Sequence, residues 1–189
     1  MRNIAVFASG SGTNAEKIFE KFQSHAKARV AMLLTNRPEA GVLARAKRFD
    51  VPTHVFNKQA LADTDQLLDL LQHQKMDLIV LAGFLLKVPE RLISAFPDRI
   101  VNIHPALLPA YGGAGMYGRH VHEAVLAAGE TETGISIHYV NEHYDEGRII
   151  LQVSCPVLPD DTPETVAARV HQLEHQYYPE VVEEVILSL

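Results

Sequence analysis

Short apolar runs of strand length alternate with longer segments of helical period along nearly the whole chain, and that alternation points to a parallel sheet covered by helices on both faces. Residues 3–8 read as a first strand, stopped at once by Ser9-Gly10. Residues 15–22 follow as a helix, with Ala15, Ile18, Phe19 and Phe22 at three- and four-residue spacing. A second strand spans 29–35, a short helix 39–48, a short third strand 53–56, and a helix 60–74 carries Leu61, Leu67, Leu68, Leu70 and Leu71. Residues 77–82 form the most hydrophobic strand candidate, and an unbroken apolar run belongs at the centre of a sheet, where both faces are covered.

Beyond Gly83 the spacing predicts a helix over 89–96, a strand over 100–103 and a helix over 121–128. Residues 134–140 and 149–153 alternate more strictly, so an antiparallel edge is expected there. A long helix over 162–187 closes the chain, with Thr162 as its N-cap and Pro163 at the first helical position, where a missing N–H costs nothing. The expected class is α/β: three layers around an open, mostly parallel twisted sheet, with antiparallel strands near the C-terminal half.

With 189 residues and 47% apolar content, the chain can close one substantial core but not two, so residues 1–189 are expected to form a single domain. Its 17 Lys and Arg against 23 Asp and Glu give a net charge of -6, and no basic stripe interrupts it, which argues against a nucleic-acid partner. The apolar run at 3–8 is too short for a signal-peptide core or a membrane span. Cys155 has no second cysteine to pair with and reads as a small buried residue. A cytoplasmic chain without a membrane partner is therefore expected.

Three places could carry chemistry. The first strand runs into Ser9-Gly10-Ser11-Gly12-Thr13-Asn14, a glycine-rich turn opening a helix, where backbone N–H groups and the positive end of the helix can close on a phosphate. Gly10, Gly12 and Ala15 also satisfy a loose dinucleotide pattern, but the second strand ends in Thr35-Asn36-Arg37 without the acid such proteins offer to ribose hydroxyls. The phosphate of a mononucleotide-like ligand is the favoured guest; a purely structural turn is the other reading. No Walker lysine is present.

The second place is Val101-Asn102-Ile103-His104-Pro105. Alternation puts Asn102 and His104 on one face at the carboxyl end of a strand, the edge where open α/β sheets bind ligands and where the glycine turn also sits. An amide donor beside an imidazole can hold an oxyanion and move a proton; satisfying nearby backbone groups is the bland alternative. The third is Asp145 in Tyr144-Asp145-Glu146-Gly147, a carboxylate in the loop between the last two strands that could reach back to His104. His120 and His122 form an H-x-H pair without further ligands, so no metal is expected. Glu174 and His175, midway along the last helix, read on local grounds as a solvated face.

Taken together these strings resemble the folate-dependent formyltransferases over nearly the whole chain. The resemblance rests on residues 9–14, Leu81-Ala82-Gly83-Phe84, Asn102-Ile103-His104-Pro105-Ala106-Leu107-Leu108-Pro109, Gly134-Ile135-Ser136-Ile137-His138, Asp145-Glu146-Gly147 and Glu174-His175 with Tyr178-Pro179 beyond. It implies a Rossmann-like formyltransferase fold in which the N-terminal part binds phosphate and the C-terminal part binds folate and carries catalysis. It implies 10-formyltetrahydrofolate as co-substrate, no metal, and a small phosphorylated amine as acceptor, best matched by the members acting on phosphoribosylglycinamide in purine synthesis. Asn102, His104 and Asp145 become the catalytic triad, with Asn102 and a protonated His104 on the oxyanion. Gly12, Thr13 and Asn14 hold the acceptor's phosphate and Glu174 its glycinamide end. Phe84, Leu85, Leu86, Lys87 and Val88, with Asn102 and the loop around Asp145, line the folate cleft, and residues 111–118 form a mobile cover. A monomer or homodimer is expected.

The chain departs from some relatives in carrying Leu85-Leu86-Lys87 where they place an arginine, and Ala110 and Ala114 where they place lysine. Formyl transfer to methionyl-tRNA would call for a second, basic domain, and hydrolysis of the folate for an extra N-terminal one. A sugar-nucleotide acceptor differs only in its pocket. A non-catalytic phosphometabolite-binding protein would have no use for the triad.

Overall fold

The computed structural model describes residues 1–189. Seven strands form one sheet: β1 (Arg2–Phe7), β2 (Ala28–Thr35), β3 (Thr53–Val55), β4 (Leu78–Leu81), β5 (Ile100–His104), β6 (Glu132–Tyr139) and β7 (Ile149–Pro156), in the order β3-β2-β1-β4-β5-β6-β7. The first five are mutually parallel. β6 runs antiparallel to β5, and β7 to β6, so the C-terminal half is antiparallel as the stricter alternation of residues 134–140 and 149–153 predicts. Every residue of β4 is buried, in keeping with its unbroken apolar run.

Two faces of β1 sort its side chains into two cores. Ile4 and Val6, with Ala8 just beyond the strand, enter a cluster of 27 buried residues shared with α1 (Thr13–Phe22), α2 (Val42–Arg48) and α7 (Pro163–Ser188). Ala5 and Phe7 enter a cluster of 15 on the opposite face, closed by α3 (Lys58–Asp63), α4 (Asp65–His73) and α5 (Glu90–Ala95). The remaining helix, α6 (Arg119–Ala127), lies against α7. The fold is thus three-layered, and no helix is long and apolar enough to cross a membrane.

α7 starts as read from the sequence. Thr162 Oγ1 accepts the Thr165 N–H at 3.4 Å, Thr165 Oγ1 accepts the Thr162 N–H at 2.9 Å, and Pro163 opens the helix. Farther along, the buried Tyr178 hydroxyl donates to the Leu81 carbonyl at 2.9 Å, tying α7 to the sheet beneath the site. One element differs: the single helix expected over 60–74 is two, broken at Thr64. That residue has φ 59°, and its hydroxyl donates to the Leu61 carbonyl at 2.9 Å, competing with the backbone for the turn.

The strand order reverses between β1 and β4, because β1 leads outward to β2 while β4 leads the other way to β5. The turns after these two strands therefore diverge and leave a crevice at their carboxyl ends.

Candidate functional site

That crevice is a cleft of about 570 Å³, lined by the glycine turn after β1, the turn after β4, the end of β5, the loop before α6 and the middle of α7. At its β1 end Gly12 has φ 78°, and an added Cβ would stand 2.3 Å from Cγ2 of Val42, so only glycine fits. No side chain caps α1, and the amides of its first turn are left for an anion. Thr13 and Asn14 stand in that turn and line the cleft.

The glycine turn and the turn after β4 are joined through Ser9. Its Oγ donates to Asn36 Oδ1 at 2.6 Å and accepts the Leu85 N–H at 3.0 Å, while its own N–H donates to the Gly83 carbonyl at 3.0 Å. Phe84, Leu85, Leu86, Lys87 and Val88 all line the cleft. They do so unequally: the Phe84 ring packs edge-on to Phe7 at 5.4 Å and Val88 is buried, whereas Leu85 and Lys87 are exposed. Lys87 Nζ lies 5.9 Å from the centre of the Tyr144 ring across the cleft.

Asn102 and His104 share one side of β5, and β6 brings His138 opposite Asn102 and Ser136 opposite His104. The loop between β6 and β7 bends Asp145 back toward them; Asp145 itself has φ 55°, and a Cβ on the neighbouring Gly147 would collide with the Tyr139 carbonyl at 1.7 Å. Asp145 Oδ2 stands 3.5 Å from His104 Nδ1 and Oδ1 stands 3.6 Å from His138 Nε2. The Gly113 N–H donates to Asp145 Oδ2 at 2.9 Å, which ties the loop before α6 to the carboxylate.

Carbonyl oxygens fix the tautomers, since a carbonyl can only accept. His138 Nδ1 lies 2.8 Å from the Tyr139 carbonyl and must donate to it, leaving Nε2 to accept from the Asn102 amide nitrogen at 3.1 Å. One N–H of Asn102 remains unengaged. His104 Nε2 lies 2.7 Å from the Tyr111 carbonyl and donates to it, so Nδ1 of the neutral ring turns its lone pair toward Asp145.

Burial lowers the His104 pKa, outweighing the pull of Asp145 and the Tyr111 carbonyl in the other direction. At rest His104 is therefore neutral. Burial pushes the Asp145 carboxyl up, but the His138 ring, the Gly113 N–H and the adjacent His104 ring together hold it below its ordinary value. A carboxylate, a neutral imidazole and a free amide donor thus meet beside an uncapped helix start, a set able to bind an anion and handle the proton and oxyanion of an acyl transfer.

The structure also gathers residues that the local reading of the sequence did not bring into the site. Glu174 is buried, not on a solvated face: it accepts from Asn14 Nδ2 at 3.0 Å and pairs with His171 Nδ1 at 2.7 Å, inside the same cleft. His120 and His122 diverge; His120 is exposed and faces Glu123, whereas His122 is buried and lines the cleft. No three His, Cys, Asp or Glu side chains are grouped to hold a metal. His138, Ser9 and His171 had no role assigned from the sequence. For His138 a signal existed in the polar Ser136 and His138 two apart on a strand, opposite which a functional strand would have to lie.

A family profile described as formyl transferase matches residues 2–182. The chain belongs to the formyl transferase family. This formyl transferase is 44% identical over 187 residues to the chloroplastic phosphoribosylglycinamide formyltransferase of Arabidopsis thaliana, a match covering 96% of this chain and 64% of that protein. It is 38% identical to the phosphoribosylglycinamide formyltransferase of Haemophilus influenzae, covering 96% of this chain and 86% of that one. A crystal structure of phosphoribosylglycinamide formyltransferase from Streptococcus pneumoniae TIGR4 matches the fold with a TM-score of 0.87 at 39% identity, covering 98% of this chain and 99% of the other. The chain spans 64% and 60% of the length of the two plant relatives it matches.

Proposed function

We propose that this formyl transferase moves the formyl group of 10-formyltetrahydrofolate to the primary amine of 5'-phosphoribosylglycinamide, giving the N-formyl product and tetrahydrofolate as a step of purine synthesis. The observation that carries the proposal is the meeting of Asn102, His104 and Asp145 in one cleft with the uncapped first turn of α1. The relatives named phosphoribosylglycinamide formyltransferase support the same acceptor.

In this reading Gly12, Thr13 and Asn14 hold the acceptor's phosphate, Glu174 holds the polar part beyond it, and the folate lies along Phe84, Leu85, Leu86, Lys87 and Val88. The amine nitrogen attacks the formyl carbon, and the free N–H of Asn102 takes up the developing oxyanion. The proton released by the attacking nitrogen passes by way of Asp145 to Nδ1 of His104, which is neutral at rest; the imidazolium so formed helps hold the oxyanion through its Nε2–H and gives that proton to N10 of the folate as the C–N bond breaks. Residues 111–118 cover the cleft, and the Tyr111 carbonyl gives up the His104 N–H to the substrate as they do so. The N-terminal part thereby serves phosphate and the C-terminal part folate and catalysis, within one domain. A cytoplasmic location fits the lone buried thiol of Cys155.

The test presents 10-formyltetrahydrofolate with phosphoribosylglycinamide, its dephosphorylated counterpart and amino-sugar nucleotides, and scores which amine is formylated. Selective formylation of phosphoribosylglycinamide is expected. Equal use of the dephosphorylated amine would remove the phosphate role from Gly12 to Asn14, and preference for a sugar nucleotide would replace the acceptor.

A further inference from the structure

His122 stands apart from the groups assigned above. It is 3% exposed, lines the cleft, and forms no hydrogen bond with any protein group. Its Nδ1 is enclosed and has no partner. Nε2 is likewise unpartnered but is not enclosed, so it is the ring nitrogen that reaches the open space of the cleft. A buried polar side chain with no internal partner loses about 1–3 kcal/mol relative to one that is satisfied, and such groups call for an explanation.

The ring is neutral, because burial lowers its pKa and the His171 charge adds to the effect against the pull of Glu174. A neutral imidazole carries one N–H. Placing it on enclosed Nδ1 would bury an unpaired donor, the rarer defect, whereas placing it on Nε2 aims the donor into the cleft. His122 also lies in the electrostatic reach of His171 and Glu174, the latter bound by Asn14 of the first turn of α1, and of His104 at the other end of the cleft. A second orphan sits at the same stretch: Asn14 Oδ1 is enclosed and unpartnered, although its Nδ2 is bound to Glu174.

We propose that His122 is a recognition residue for the acceptor, donating from Nε2 to a ribosyl oxygen that lies between the acceptor's phosphate and its reactive amine. The inference rests on the acceptor proposed above and adds a contact that discriminates ribosylated amines from simpler ones. The ring makes no step of the reaction; it fixes the sugar so that the amine reaches the formyl carbon.

The test uses His122→Phe, which keeps the ring volume and removes both nitrogens, and His122→Gln, which restores an N–H donor. Binding of phosphoribosylglycinamide is measured by calorimetry without folate, alongside steady-state KM values for both substrates. The expected result is an acceptor Kd raised by about fivefold to tenfold in His122→Phe, the loss of one neutral hydrogen bond, with substantial recovery in His122→Gln and the folate KM unmoved. The same ratio is expected for the dephosphorylated acceptor, because the contact is to the sugar. Unchanged acceptor affinity in His122→Phe, or a loss confined to the phosphorylated acceptor, overturns the assignment. If the phenylalanine variant does not fold, His122→Leu set against His122→Gln reads the same difference. Wild-type protein that binds no phosphoribosylglycinamide would instead defeat the proposed function.

Discussion

Nδ1 of His104 stands 3.5 Å from Oδ2 of Asp145, with both side chains almost fully enclosed. The separation is too long for a hydrogen bond in the resting state, yet short enough that a proton arriving on the imidazole creates an ion pair. Asp145 therefore stabilises the charged ring at the moment the reaction makes it, and the neutral ring before that moment is kept by burial.

Replacing His104 tests the proton acceptor. His104→Ala is expected to lower kcat by roughly a hundredfold or more while leaving folate affinity nearly intact, measured by initial rates and by folate binding. Unchanged turnover would remove His104 from the chemistry.

Asp145→Asn removes the charge that raises the His104 pKa. The acid limb of kcat/KM, which reports protonation of free His104, should move to lower pH, and kcat should fall by roughly a hundredfold. A limb that stays in place or moves to higher pH would mean that another group sets it.

Gly12→Ala introduces a Cβ 2.3 Å from Val42 Cγ2 at a residue with φ 78°. Destabilisation of about 1–3 kcal/mol is expected from strain and overpacking, with weaker acceptor binding and little change in folate affinity. Adding Val42→Ala should recover part of the stability but not the acceptor affinity, because the left-handed backbone remains strained; denaturant melts and calorimetry separate the two.

Acidification should destabilise the fold. Burial lowers the pKa of His104, His122 and His175, whereas hydrogen bonding to Glu174 raises that of His171. For the first three the unfolded chain binds protons that the folded chain refuses, so stability drops as pH falls below about 6.5. His171 works in the other direction, its contribution present at low pH and lost as pH rises through its raised pKa. With three groups against one, Tm should fall between pH 7.5 and 5.5, and His122→Phe should flatten the slope. A Tm that rises over this interval would contradict the burial of neutral imidazoles.

The layered sheet, its antiparallel edge and the start of α7 could be read from the sequence because each is written in local periodicity or in a cap such as Thr162-Pro163. What escaped depends on tertiary placement. On local grounds Glu174 reads as a surface residue, and only the family resemblance set it near the acceptor, until α7 is laid across the sheet and Asn14 comes up against it. His138 acquires its place only through the register that sets it opposite Asn102. The break at Thr64 turns on one hydroxyl competing with a helical hydrogen bond, a contest that apolar spacing does not register. For the catalytic groups the sequence carried direction but not state: Asn102 and His104 could be placed on one face, while the neutrality of His104 comes from burial that only the folded chain creates.

The most direct measurement follows a carbon-13 label placed in the formyl group of 10-formyltetrahydrofolate, read by NMR in the presence of phosphoribosylglycinamide. The label is expected to appear in the amide of the acceptor in step with tetrahydrofolate formation, and to stay on the folate when the acceptor is withheld. Release of labelled formate at the same rate with and without the amine would contradict that expectation.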